Sequence, residues 1–163
     1  MTTSDDPNTA PHDAPSGQRP AGLFRRFFAR LLDQWIVGIP VALFLRAFTD
    51  WGSLGALTRV VLIGLILGIT TFAYFVVFEV TLGWTPAKKL LGMTVHGPGG
   101  AQKPDVKQSA VRNAFQLLWL IPYGVGGWIV CLAWIVIAVT IDRSPTSQGI
   151  HDRWAGGTEV VRN

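Results

Sequence analysis

The sequence predicts an all-α membrane protein: a small multi-pass helical bundle of three or four membrane helices, with a short cytoplasmic β element. Three observations predict it. Residues 60–80 form an apolar run of twenty-one residues with one charge, Glu79, and residues 115–141 form a run of twenty-seven with none. Residues 31–48 are a third, poorer stretch, with Asp33 near one end and Arg46 near the other. A bilayer core about 30 Å thick is crossed by about 20 helical residues, and inside it every backbone amide must be paired internally. Charged residues make up only 15% of the chain, and they flank the apolar runs instead of forming a stripe. Membrane orientation requires that placement, so the net charge of +4 is assigned to it and nucleic acid is set aside as a partner. The first partner is the lipid bilayer.

Taken in order, residues 1–22 are built from Asp, Pro, Thr, Ser, Ala and Gly and are predicted to be a disordered N-terminal tail. They lack the basic start and early apolar core of a signal peptide. A membrane domain is expected over residues 23–161. At its start Leu23, Phe24, Phe27, Phe28, Leu31 and Leu32 follow helical spacing with Arg25, Arg26 and Arg30 interleaved. That suits a helix lying along the interface before it turns into the membrane, its Arg stems snorkelling to headgroups. Pro40 is expected to kink the first span. Residues 50–59 form a short loop in which Trp51 suits an interfacial anchor.

The main polar segment follows the second span. Thr85-Pro86 reads as a helix start, with Thr85 as cap and Pro86 at the first helical position, and Gly92 as a stop. Met93-Thr94-Val95-His96 reads as a strand, Gly97-Pro98-Gly99-Gly100 as a turn and residues 101–103 as a return strand. A further strand is expected at Thr158-Glu159-Val160-Val161. It can join the others only if both segments lie on one side of the membrane.

Lys and Arg number four in the N-terminal segment, two at 46–59, five at 83–112 and three after residue 141. Basic loops stay cytoplasmic, which places the N-terminus and the long loop inside. The tail depends on residues 115–141. Twenty-seven helical residues span about 40 Å, too long for one upright crossing and too short for two. Pro122, Gly124, Gly126 and Gly127 supply a break. The break favours helices at about 107–121 and 127–141, with the tail returned to the cytoplasm; three spans are the alternative. The first arm would have to direct Lys107, Gln108, Arg112, Asn113 and Gln116 towards protein or headgroups.

Ionisable groups at a membrane boundary need a partner or a task. Arg26 and Asp33 lie two helical turns apart on one face, and Arg30 is in reach of Asp33. They read either as a structural ion pair or as an ion site. Glu79 can face headgroups or pair with Lys88 and Lys89; buried, it would be a proton carrier. Asp142, His151 and Asp152 follow the last span. His151-Asp152 invites a catalytic or metal reading, but no second His or Cys stands at ligand spacing and no nucleophile motif accompanies it. The plainer reading is a polar network that docks the tail, with His151 placed to sense pH. Cys131 is the single cysteine, so no internal disulfide is possible and a packing role is expected.

In order, these motifs resemble the RDD family of bacterial membrane proteins. Phe24-Arg25-Arg26-Phe27-Phe28-Ala29-Arg30-Leu31-Leu32-Asp33 resembles its opening, an Arg followed seven positions later by Asp. Thr85-Pro86-Ala87-Lys88-Lys89-Leu90-Leu91-Gly92 resembles its central Thr-Pro-Gly-Lys motif, with Ala87 in place of the usual Gly. Arg112-Asn113 matches its basic position before the third apolar region. Asp142 and the closing Gly149-Ile150-His151-Asp152-Arg153-Trp154-Ala155-Gly156-Gly157-Thr158-Glu159-Val160-Val161 resemble its terminal signature, with Gly157 as an extra residue. The resemblance implies a multi-pass plasma-membrane protein; the lack of an identifiable nucleophile or metal set in the residues predicts that it is not an enzyme, and no cofactor is expected. Through some members the resemblance also implies cation/proton exchange. Arg26, Asp33, Lys88, Arg112, Asp142, His151 and Asp152 are its signature residues. The ion or proton site expected on this basis is Asp33 and Glu79, with Arg26 tuning them. A chain this small would work as a homo-oligomer or with a membrane-protein partner. The alternative is a non-transporting scaffold whose loop and tail bind another protein.

Overall fold

The computed structural model describes residues 19–121 and 125–162. The expected disorder of residues 1–18, and Pro122 and Gly124 of the expected break, lie outside the described residues. In chain order the elements are β1 (Arg19–Pro20), α1 (Leu23–Phe48), α2 (Ala56–Leu82), α3 (Pro86–Leu90), β2 (Met93–His96), α4 (Val106–Asn113), a 3₁₀ segment (Ala114–Leu120), α5 (Val125–Asp142), α6 (Ile150–Trp154) and β3 (Glu159–Arg162). Among the described residues α1, α2 and α5 are long and apolar enough to cross a membrane.

Each long helix turns one narrow stripe inward. In α1 it is Ala29, Asp33, Val37, Val41 and Leu45, and in α2 it is Gly64, Gly68, Thr71, Phe75 and Glu79. Both follow the three-to-four-residue spacing of a single helix face. The remaining surface is apolar and outward: Trp35, Leu43, Phe44, Trp128, Leu132 and Ile135 are all exposed. Among the described residues the buried set holds twelve polar or charged side chains. Such an inside-out distribution suits lipid as the outer solvent. Cys131, expected to pack, is on this exposed surface.

The opening helix differs from expectation. Among the described residues no separate interfacial helix precedes the span; Leu23 to Phe48 is one continuous helix, running through Pro40. Thr85-Pro86 does start α3 and Gly92 does end it, with φ +62°. Residues 101–103 form no strand. The edge of β2 is instead taken by β3, antiparallel, with Met93 opposite Arg162 and His96 opposite Glu159. The third strand is β1, so the order is β1-β3-β2 and the last strand of the chain lies at the centre. Arg19 and Pro20, placed by sequence in the disordered tail, thus belong to the fold.

This sheet places the beginning, middle and end of the chain at one end of the bundle. The path through residues 106–142 makes that possible. Asp105 caps α4, accepting from the Gln108 amide at 2.7 Å while Gln108 Oε1 accepts from the Asp105 amide at 2.9 Å. After Asn113 the helix tightens to 3₁₀, so the arm expected as one α-helix over 107–121 is corrected to α4 plus this segment. Together they extend about 26 Å, at 1.5 Å per α residue and about 2 Å per 3₁₀ residue. The arm lies along α2, and its far end reaches Gly64, about 27 Å from the Leu82 end. α5 then returns to the sheet. Among the described residues three α-helices are of membrane length, and this mixed arm packs beside α2, between it and α5.

Glycine makes the approach possible. A Cβ on Gly64 would lie 2.5 Å from the Trp119 carbonyl oxygen, and one on Gly68 would lie 2.7 Å from Leu120 Cδ1. Gly126 and Gly127, placed in the break by sequence, are instead inside α5, where they abut Leu118 and Trp119. Gly64→Leu is expected to destabilise the bundle by about 1–3 kcal/mol through overpacking, read as a lower melting temperature in detergent. Wild-type melting would mean that the arm does not press on α2.

Candidate functional site: a buried charge layer under the sheet

The sheet end of the bundle is filled by ionisable side chains from five elements. Glu79, at the last buried position of α2, is fully buried. It accepts from Lys88 Nζ at 2.5 Å, Ser109 Oγ at 3.0 Å and Asn113 Nδ2 at 3.0 Å. Lys88 reaches it because Pro86 starts α3 immediately below the α2 terminus. Ser109 and Asn113 reach it because they are four residues apart on α4 and so share a face.

Asp152 is the second centre. Its carboxylate is 3.3 Å from Arg26 Nη1 and 3.2 Å from Arg112 Nε, and it accepts from the Gly149 amide at 3.1 Å. That amide opens α6, so the carboxylate also caps the helix start. Arg112 Nε is 4.0 Å from Glu79 as well, which joins the two centres. Neither contact of Arg112 is aligned as a hydrogen bond, and its Nε and Nη1 have no hydrogen-bond partner. Arg26 also donates to the backbone carbonyls of Ala21 and Val160, at 3.0 and 2.9 Å. It therefore ties β3, and Ala21 just after β1, to α1.

Arg30 does not bind Asp33. Its Nη2 donates to Asn113 Oδ1 at 2.9 Å, and its guanidinium lies between the rings of Phe75 and Phe115, 4.2 and 4.8 Å from their centroids. The expected pairing of Arg26 with Asp33 is likewise absent from the contacts that Arg26 makes. Asp33 is fully buried and held by neutral donors: the Tyr74 hydroxyl at 2.7 Å, the Thr85 hydroxyl at 2.5 Å and the Ala87 amide at 3.1 Å. Thr85 is the N-cap residue of α3 but makes no side-chain cap. Asp33 takes over that task from α1 by accepting from Ala87.

Charges outside the membrane-length helices are shifted by this setting. Burial, assisted by Arg112, Arg30 and Arg26, depresses His151 from 6.5 to about 3 against the pull of Asp152, so its imidazole is neutral at physiological pH. Burial lowers Lys88 from 10.5 to about 8 despite the attraction of Glu79. For Asp152, burial alone would raise the pKa, but the cations of Arg112 and Arg26 outweigh it and hold the carboxyl below the ordinary range.

Of the residues named from sequence, Arg26, Glu79, Lys88, Arg112, His151 and Asp152 come together here. Asp33 sits beside them in its own neutral pocket. Asp142, the last residue of α5, is exposed and stays outside. Sequence reasoning missed Tyr74, Phe75, Ser109 and the role of Asn113. A signal existed for the last two: polar residues at 109, 112, 113 and 116 recur at helical spacing before an apolar run, and all four are buried.

An apolar exterior, membrane-length helices and a charge layer sealed at one end define a multi-pass helical membrane protein. No curated protein and no solved structure matches this chain. The RDD family model matches residues 20–156, and the chain belongs to the RDD family.

Proposed function

We propose that this chain is a transport-related protein of the plasma membrane, exchanging a proton for a cation, with Asp33 as the exchanging group. The observation that carries the reading is the neutrality of that carboxylate's partners. A hydroxyl can donate to a carboxylate or accept from the acid, so Tyr74 and Thr85 can serve either protonation state of Asp33. Protonating Glu79 would instead strand Lys88 as a buried cation without a carboxylate and leave Arg112 with Asp152 alone. Glu79 and Arg26, expected to share in or tune the exchange, are read here as structural.

Orientation rests on basic residues. The segments brought to the sheet end carry four, five and three Lys or Arg, twelve of the fourteen, and the loop at the other end carries two. That asymmetry supports a cytoplasmic sheet and a cytoplasmic N-terminus. A chain of this size encloses little of a pathway, and a homo-oligomer would complete one. No enzymatic activity is proposed.

The test is flux. Purified protein in liposomes loaded with a pH-sensitive dye should respond to a Na⁺ or Li⁺ pulse, and Asp33→Asn should slow the response at least tenfold while eluting like wild type on size exclusion. An inert wild type, or an unimpaired variant, removes this reading. One observation favours a second reading, a scaffold: three chain segments are locked into a single folded cap beyond the long helices. An inert wild type that still retains a protein partner through this cap would support it.

A further inference from the structure

A cavity opens beside the charge layer, between the starting turns of α1, the final turns of α5 and the sheet. Arg26, Arg30, Lys88, Arg112 and His151 line it. Neither Glu79 nor Asp152, the carboxylates that Arg26, Lys88 and Arg112 contact, is among its lining residues. Arg30 contacts Asn113 and two rings instead. Four cations therefore line one space, against three nearby carboxylates, Glu79, Asp152 and Asp33. Burying surplus positive charge is costly unless an anion completes the set.

Donors are also left over. Arg26 spends all three guanidinium nitrogens on Ala21, Asp152 and Val160, and Lys88 is held by Glu79. Arg112 differs: its side chain is only 3% exposed, it lines the cavity, and its Nη1 has no partner. Trp134 is another lining residue, and its buried Nε1 has none either. The volume of about 70 Å³ holds roughly five water-sized groups, which fits the five heavy atoms of a phosphate.

The rest of the lining is of another kind. Phe27 from α1 and Ile137, Ala138 and Ile141 from α5 are apolar, and they belong to helices of membrane length. An anionic head with an alkyl chain matches both parts; a soluble anion matches only one. We propose that this cavity binds an anionic phospholipid, its phosphate held by Arg112 and Trp134 and its chain laid along α5. Bound there, the lipid bridges α1, α5 and the sheet, and ties the docking of the tail to the composition of the surrounding leaflet.

The experiment uses the full-length protein in neutral detergent with phosphatidylglycerol, phosphatidylcholine or inorganic phosphate, read by native mass spectrometry and thermal melting. Phosphatidylglycerol is expected to be retained at one per chain, at least fivefold more tightly than phosphatidylcholine, and to raise the melting temperature. Ala138→Phe fills the cavity without altering a charge and should weaken that binding at least fivefold. Trp134→Phe, which keeps the bulk and removes the free N–H, should weaken it at least twofold and serves if the first variant does not fold. Arg153→Gln, on an exposed position of α6, should bind as wild type does. Equal retention of the two lipids overturns the proposal. So does wild-type affinity in a folded cavity variant, or a loss in Arg153→Gln equal to that in Ala138→Phe. Inorganic phosphate that stabilises the protein as well as the lipid does would mean a soluble anion site, and would overturn it too.

Discussion

Glu79→Ala is expected to cost about 3–5 kcal/mol, because it leaves Lys88 buried without a carboxylate and Arg112 with Asp152 as its one remaining carboxylate. The distances make Glu79 the hub: Lys88 is at 2.5 Å, Ser109 and Asn113 at 3.0 Å, and Arg112 at 4.0 Å. The loss should appear as a melting temperature lower by on the order of 10 °C and as protease cleavage within residues 83–112. The penalty comes from stranded charge more than from lost attraction, so removing both partners should hurt less than removing one. Glu79→Leu combined with Lys88→Met should melt above Glu79→Ala. If the double variant is the worse of the two, the pair is a true source of stability and the stranding argument is wrong.

Asp152→Ala should have the next largest effect, again about 3–5 kcal/mol, but in a different place. It frees Arg26 and Arg112 and uncaps α6, so β3 and α6 should lose protection from hydrogen exchange while the long helices keep theirs. Acid should reach the same state without mutation. His151 titrates near 6.5 when unfolded and near 3 when folded, so from pH 6.5 down to about 3 the unfolded chain binds more protons and stability falls. Asp152, also depressed in the fold, adds a loss at still lower pH as its carboxylate protonates. His151→Gln should abolish the upper part of this acid sensitivity and leave the lower part. An unchanged slope between pH 6.5 and 4 in that variant would show that His151 is not the group responsible.

The long helices were legible because lipid imposes a length and a composition that few soluble segments share. Strands β2 and β3 were legible from β-branched residues beside glycine, β2 with its observed bounds and β3 shifted by one residue at each end. β1 was not: Arg19-Pro20 has no strand signal of its own and is held by pairing with Val161 and Arg162 and by the Arg26 bond to the neighbouring carbonyl of Ala21. The tightening of the arm along α2 into 3₁₀ after Asn113 was also hidden, because its setting is a close approach to Gly64 and Gly68 in another helix. In the charge layer the members could be named but not matched. Spacing along α1 put Arg26, Arg30 and Asp33 on one side and suggested that they meet. The fold gives each a different partner, Asp152, Asn113 and Thr85, from elements 52 to 126 residues away. Local periodicity says which residues face inward; it carries no information about which distant segment meets them there.

The position of β3 at the centre of its sheet has a consequence for assembly order. Both flanking strands depend on Glu159–Arg162 for pairing, so neither completes its ladder until that segment has been synthesised. Until then the two earlier strands have no hydrogen-bonding neighbour, and the arginine that clasps the Val160 carbonyl has nothing to hold. A chain truncated ahead of β3 would carry all three membrane-length helices and still present an open, sticky edge to quality-control proteases.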